Sequence, residues 1–378
     1  MHEWLFYRFI FNESFEMSYI TAIETAVPEY GFTQETFTGF YLNSTTDDTD
    51  KRKINIVSKK SGIDKRYSVI KDYGKNPSEF EFFPKTASLS PEPSLTQRMV
   101  LYKAHAAKLS ANAIRKIKNF ESIKHTITHL ITVTCTGLFA PGLDIELMRE
   151  LNLNPTTHRS SINFMGCNAA IIALKQADAI CNSDPDANVL IVCTELCTLH
   201  FQKQYNDDYI LSNLIFADGS AAIIVSGQES LHYYNQAIEI ARFDSLIIHN
   251  GYKDMAWQLS ETGFLMNLTS YVSGLIKDNI KPLLDSIGLK ASDIDYWAIH
   301  PGGKRIIDDF EDALGLEASE LKHSYDVLKN YGNMSSPTVL FVLKQLLENT
   351  VSPKKGDRIF TAAFGPGLSV ETMQLQYV

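Results

Sequence analysis

Three residues of this chain have side chains suited to acyl chemistry and stand where local sequence would expose them. Cys167 lies in Phe-Met-Gly-Cys-Asn-Ala-Ala, directly before an apolar helical run. A thiol at a helix N-terminus feels the positive end of the dipole, which predicts a lowered pKa and a larger thiolate fraction. Gly166, Ala169 and Ala170 are small, as a tight turn around a crowded thiol requires. His300 ends a β-rich run and enters Pro301-Gly302-Gly303, so its ring faces whatever cleft the strand ends form. Asn333 lies in Tyr-Gly-Asn-Met-Ser-Ser-Pro, at a second predicted helix start. Taken singly, Cys167 reads as a small buried residue, Asn333 as an N-cap and His300 as a structural histidine. Taken together they are a nucleophile, a base and a hydrogen-bond donor, the set that covalent acyl transfer needs.

The elements that must position these residues follow from composition and periodicity. The 378 residues are 44% hydrophobic and 21% charged, a soluble globular profile that excludes a disordered, fibrous or low-complexity chain. At roughly 150 residues per domain the length predicts about two and a half domains, with a core that needs no disulfide or structural metal. The formal net charge of −9 and pI near 5.6 give no overall field for nucleic acid or an anionic membrane. An anionic ligand would need a local basic cluster. The five cysteines show no C-x-x-C spacing, which argues against a zinc or thiol-redox motif and fits a reducing compartment. No run of 18 apolar residues exists, so no transmembrane helix is expected. Trp4 to Phe11 is apolar but broken by Arg8, with no basic segment before it and no cleavage site after it. Residues 1–16 are therefore expected to be an extension dispensable to the fold rather than a signal peptide.

Short β-rich runs alternate with helical patterns, which predicts an α/β fold with buried sheets. Strands are expected from Met17, and at His129 to Val133, Val189 to Cys193, Ala221 to Val225, Tyr296 to Ile299 and Arg358 to Ala362. Helices are expected at Leu101 to Ile117, Ala169 to Ile180 and Thr338 to Leu347. Asp72 to Leu95, polar and rich in Pro, Ser and Glu, reads as a long surface excursion. Shifting the chain by 166 residues lays the first strand-turn-helix set on a second, with Cys167 falling on Asn333. Two copies of one α/β unit are thus expected, 17–233 carrying the cysteine and 234–378 carrying the histidine and asparagine. Their sheets would pack as layers with helices between and outside them.

Phe-Met-Gly-Cys167, His300-Pro-Gly-Gly, Tyr-Gly-Asn333-Met-Ser-Ser and Phe364-Gly-Pro-Gly-Leu-Ser-Val-Glu-Thr together resemble the type III polyketide synthases, the chalcone synthase-like enzymes. The resemblance runs from about Tyr19 to the C-terminus, and Cys-Thr-Gly-Leu-Phe-Ala-Pro-Gly at 135–142 is closer to bacterial members than to plant ones. It implies a cytoplasmic homodimer of the thiolase-type αβαβα fold, using coenzyme A thioesters and neither a metal nor a redox cofactor.

The resemblance also assigns roles. Cys167 would take the starter acyl group from CoA and hold the growing chain. His300 would keep the thiolate as an ion pair and, with Asn333, form the oxyanion hole for the enolate from malonyl-CoA decarboxylation. Phe216 and Met266 match the two gatekeeper positions, the second usually phenylalanine in plant enzymes. Cys135, Cys197, His200, Trp257, Phe264 and Ser335 match chamber-lining positions, where His200 and Trp257 are larger than the plant residues. Ala140 replaces a methionine that crosses the dimer in plant enzymes. Lys53 and Lys60 match CoA-phosphate positions, with Ile56 where an arginine usually stands; Gly302, Gly303, Lys304 and Arg305 are the further CoA-binding candidates. The run from Lys51 to Arg66 would be the required basic cluster.

The expected reaction is decarboxylative Claisen extension of an acyl-CoA starter, closing to a small pyrone, resorcinol or phloroglucinol. The alternatives are a ketoacyl-ACP synthase III or hydroxymethylglutaryl-CoA synthase relative, a Cys-His-Asn amide hydrolase, and a non-catalytic paralogue kept as a binding subunit. The four motifs, the duplication and the intact trio of side chains argue against them.

Overall fold

The structure, a computed structural model, describes residues 17–269 and 271–378, and for Asn267 the backbone alone. The 1–16 extension lies outside the described residues.

The first half runs β1 (Ser18–Ala26), β2 (Tyr30–Thr33), α1 (Gln34–Asn43), α2 (Asp48–Lys60), β3 (Lys65–Ser68), α3 (Leu95–Ile114) and α4 (Phe120–Ile123). It continues through β4 (His129–Thr134), α5 (Leu143–Glu150), β5 (His158–Asn163), α6 (Ala169–Ser183), β6 (Asn188–Leu196), α7 (Asp207–Ile215) and β7 (Asp218–Gly227). The second half runs β8 (Ile238–Ile247), β9 (Met255–Leu259), β10 (Phe264–Leu268), α8 (Val272–Ser286), β11 (Tyr296–Ile299) and α9 (Lys304–Leu314). It closes with α10 (Lys322–Tyr331), α11 (Thr338–Asn349), β12 (Arg358–Gly365) and β13 (Ser369–Tyr377).

Nine strands form one hydrogen-bonded sheet in the order β11-β12-β13-β8-β1-β7-β6-β4-β5. The duplication shows in the pairing. β4 and β6 are parallel while β6–β7 and β7–β1 are antiparallel; β11 and β12 are parallel while β12–β13 and β13–β8 are antiparallel. The halves are joined at β1–β8 by two residue pairs, Tyr19–Glu239 and Ile20–Ile238. This short seam lets the sheet fold over into two layers. β6 and β7 are buried along their whole length, as strands covered on both faces must be. α6 and α11 form the middle layer and touch strands of both halves; α3 covers the outer face of the first. Among the described residues the second half has no strand matching β5. That leaves β5 at one sheet edge with His158, Arg159, Ser161 and Asn163 exposed.

The stretch from Asp72 to Leu95 runs over the surface, as expected, but it is anchored to the core. Phe80, Phe83 and Leu89 are buried in the core with Phe40 and Tyr73. The buried Asp72 carboxylate accepts from the backbone N–H groups of Glu81, Phe82 and Phe83, folding the polar stretch back so that its aromatics turn inward.

Candidate active site

Cys167 sits two residues before α6, in the turn that follows β5. Gly166 has φ +84° there, and a Cβ on it would stand 2.0 Å from Pro366 Cδ. The Gly-Pro-Gly turn after β12 therefore presses directly on the seat of the thiol, and only glycine fits. Asn333 precedes α11 and forms an isolated parallel bridge with Phe216. Its N–H donates to the Ile215 carbonyl at 2.9 Å, and the Ala217 N–H donates to its carbonyl at 2.8 Å. The helix itself starts at Thr338 with Pro337 as its cap, so Asn333 is not the N-cap that its position suggested. His300 follows β11, its N–H donating to the Ala362 carbonyl at 2.8 Å.

The fold thus brings the three predicted residues to one place from two halves. The Asn333 and Ser335 side chains act on the Cys167 thiol, both lowering its pKa, and Ser335 shares a cavity lining with it. Asn333 Nδ2 also donates to the Gly302 carbonyl at 3.1 Å, tying it to the loop that leaves His300, while its Oδ1 accepts from the Ser335 N–H at 2.8 Å. Both His300 ring nitrogens are buried without a partner. A satisfied structural histidine would not look like this.

The expected lowering of the Cys167 pKa is not found. Burial pushes the thiol up to about 11, against the lowering effect of the Ser335 and Asn333 hydrogen bonds. Burial likewise pushes His300 down to about 3. Desolvation penalises both charged forms and exceeds the helix-end effect, so burial favours the neutral thiol and the neutral imidazole. Cys167 is nonetheless the least raised of the five cysteines. Cys181 is pushed up to about 12, and Cys135, Cys193 and Cys197 stand well above their ordinary value, each by burial first.

Two cavities of about 30 Å³ each adjoin the site, each with room for about two waters. Cys135, Cys167 and Ser335 line the first; His200 and Phe264 line the second. Cys197, Phe216, Trp257 and Met266 line both and form the wall between them. Trp257 and Met266 are cross-strand partners in the β9–β10 hairpin, which places an indole and a thioether side by side. His200 and Phe264 were expected in the same chamber as Cys167; they lie behind this wall instead. His200 stacks on Phe264 with ring centroids 4.2 Å apart. Its Nε2 bonds the Thr136 carbonyl at 2.8 Å and its Nδ1 accepts from the Phe264 N–H at 3.1 Å. Trp257 Nε1 donates to the Cys135 carbonyl at 2.8 Å.

Sequence reasoning missed Glu195. It is fully buried, and its Oε2 accepts from the Cys135 N–H and the Thr136 hydroxyl, each at 2.8 Å, while Oε1 accepts from the Ser336 hydroxyl at 2.8 Å. It ties the end of β4 to the segment after Asn333. Burial pushes it up to about 7 despite these hydrogen bonds. A lone acid inside the apolar run of β6 was the available signal.

The CoA candidates gather where α2 ends and α9 begins: Lys304 methylenes lie against Gly62, as near as 3.3 Å to the position of a Cβ there. Lys60 is exposed, but Lys53 pairs with Asp207 at 2.9 Å, Lys304 with Asp308 at 2.7 Å and Arg305 with Asp309 at 3.7 Å. Gly303 sits at the cap of α9, whereas Gly302 faces Asn333. Arg66, counted in the surface cluster, is buried; β3 turns it inward.

The family models of chalcone and stilbene synthases match the chain, the N-terminal domain over residues 13–229 and the C-terminal domain over 239–378. The "probable polyketide synthase 1" of Dictyostelium discoideum is 29% identical over 376 residues, which is 96% of this chain and 11% of that protein. The chain therefore spans about a tenth of that relative's length. Among solved structures, PKS-I of the brown alga Ectocarpus siliculosus superposes with a TM-score of 0.88 at 26% identity, over 97% of this chain and 100% of that one. The C-terminal type III polyketide synthase domain of Steely1, a type I/III hybrid from Dictyostelium, gives 0.85 at 28%, over 96% and 99%. The two family models together match most of the chain, which therefore belongs to the chalcone and stilbene synthase family and shares the fold of the type III polyketide synthase structures.

Proposed function

We propose that Cys167 is the acyl carrier of this synthase and that His300 and Asn333 stabilise the enolate of its extender. The observation that carries this reading is Asn333, which acts on the Cys167 thiol while anchored to the loop of His300, whose ring nitrogens are buried without a partner among the described residues.

Loading begins when the Cys167 S–H proton passes to an imidazole nitrogen of His300 and sulfur attacks the thioester carbonyl of an acyl-CoA. The CoA thiolate leaves, taking up a proton, and the acyl group stays on Cys167. Malonyl-CoA then loses CO₂. The electron pair of the broken C–C bond becomes an enolate whose oxygen receives hydrogen bonds from His300 and Asn333. Neutral donors pre-set in a dry site stabilise such developing charge by several kcal/mol. The enolate carbon attacks the Cys167 thioester, expels the thiolate, which takes up a proton, and yields a β-ketoacyl-CoA two carbons longer. Phe216 and Met266 gate the chamber and Trp257 bounds it. Lys60, Lys304 and Arg305 supply the cations nearest the α2–α9 junction, where the CoA phosphates would lie.

The exposed edge of β5 supports a homodimer, since an unpaired strand edge of this length invites a second copy. Five buried free thiols fit a reducing cytoplasm.

Incubation with radiolabelled malonyl-CoA and a panel of aliphatic and aromatic acyl-CoA starters tests the proposal. CO₂ release with a CoA-dependent product supports it; a requirement for acyl carrier protein favours the ketoacyl synthase reading, and no turnover favours a non-catalytic paralogue.

A further inference from the structure

The second cavity is lined by a buried cation that makes no ion pair among the described residues, although the nearby Asp218 carboxylate favours its charge. Arg66 of β3 is buried, its guanidinium centred 3.8 Å from the Phe37 ring. Its Nε donates to Gln34 Oε1 at 2.8 Å, and its Nη1 to the carbonyls of Asn213 at 3.0 Å and Phe216 at 2.5 Å. All three acceptors are neutral. Nη2 has no partner, and Arg66 lines the cavity behind the Phe216 wall. Asp218 is the neighbouring carboxylate, but its oxygens accept from the Val69 N–H and from the N–H and hydroxyl of Thr198. Arg66 forms no ion pair with it among the described residues. Three other donors around this space are engaged: the Tyr73 hydroxyl with the Thr198 carbonyl, Gln202 Nε2 with the His200 carbonyl and Asn213 Nδ2 with the Gln202 carbonyl. A buried cation satisfied only in part is costly and calls for an acceptor.

We infer that this cavity receives the far end of the starter acyl group and selects a starter that ends in a carboxylate. The inference rests on the proposed acylation of Cys167. The Cys167 cavity and the Arg66 cavity share Cys197, Phe216, Trp257 and Met266, so a side-chain shift in that wall opens one into the other. The space is about 30 Å³, room for about two waters and so for the two oxygens of a carboxylate. A guanidinium edge is the natural partner for such a group. A starter ending in methyl would leave Nη2 unpaired and lose the advantage.

The test is a loading ladder followed by intact-protein mass spectrometry of Cys167 acylation. Succinyl-, glutaryl- and adipyl-CoA are each compared with the straight-chain monocarboxylic acyl-CoA of equal carbon number. The expected result is a preference for the carboxylate-ended member of about tenfold or more in loading kcat/KM at one length, falling to near unity in Arg66→Met. Arg66 also holds two backbone carbonyls, so Ser212→Leu, which enlarges a lining side chain on α7 and keeps Arg66 itself, is run in parallel and should abolish the same preference. Equal or faster loading of the monocarboxylic partner at every length overturns the inference, as does a preference that survives both variants. Absence of loading by every thioester would instead overturn the proposed role of Cys167, and the inference with it.

Discussion

Asn333 Nδ2 donates to the Gly302 carbonyl at 3.1 Å, so the asparagine of one motif is held by the glycine turn of another. The bond fixes the amide orientation and leaves the second Nδ2 hydrogen for the thiol side. Oxyanion donors work because they are pre-set, and for the role proposed for Asn333 the setting comes from backbone of the loop that also carries His300.

If the two functions divide as proposed, Cys167→Ala stops polyketide formation yet retains malonyl-CoA decarboxylation. Asn333→Ala lowers decarboxylation itself by about 2.7–4 kcal/mol of transition-state stabilisation. Both are read from CO₂ release and product formation in parallel; equal loss of both activities in Cys167→Ala would contradict the division.

Alkylation reports the resting state of the thiol. With burial holding Cys167 up at about 11, its iodoacetamide rate should climb steadily from pH 7 to 10, because only the thiolate reacts. Peptide mapping should still find it modified before Cys135 and Cys197, whose thiols are raised further. A plateau below pH 8 would show a preformed ion pair with His300.

Trp257→Gly removes the indole from the wall between the cavities and its bond to the Cys135 carbonyl. The joined space should accept longer polyketides or bulkier starters, seen by mass spectrometry of the products, while malonyl decarboxylation stays intact. His200→Thr, behind the wall, should change products less on its own. An unchanged profile in Trp257→Gly would remove the indole from the account of product size.

Glu195 predicts a pH-dependent stability. Its folded-state pKa, about 7, lies above the ordinary 4.5, so the native state holds a proton that the unfolded chain has released between those values. Its contribution is full below pH 4.5 and is lost as pH rises through 7. Asp218, raised to about 7 from 3.8 by burial, acts in the same direction. Thermal melts should show Glu195→Gln flattening the decline across that window by about 3 kcal/mol; an unchanged slope would place the titration elsewhere.

The three candidate residues were legible because each sits in a short string whose glycines and small neighbours announce a turn at an element end. The duplicated layering was legible because Cys167 and Asn333 occupy corresponding places in repeated strand-turn-helix units. What depends on burial was not. The helix-end argument for the Cys167 thiol had the right sign for its own effect, but desolvation, a property of the whole surround, is larger. Arg66 was one more charge in a basic run, since sequence does not say that β3 points it inward. Phe80 and Phe83 vanished into the polar average of their segment, because the Asp72 contacts that fold it back join residues about ten apart.

Pro366 packs against Gly166 from far downstream in the chain. The first half alone would carry Cys167 without the Pro366 contact, His300 or Asn333, so the proposed site is whole only when both halves are folded together.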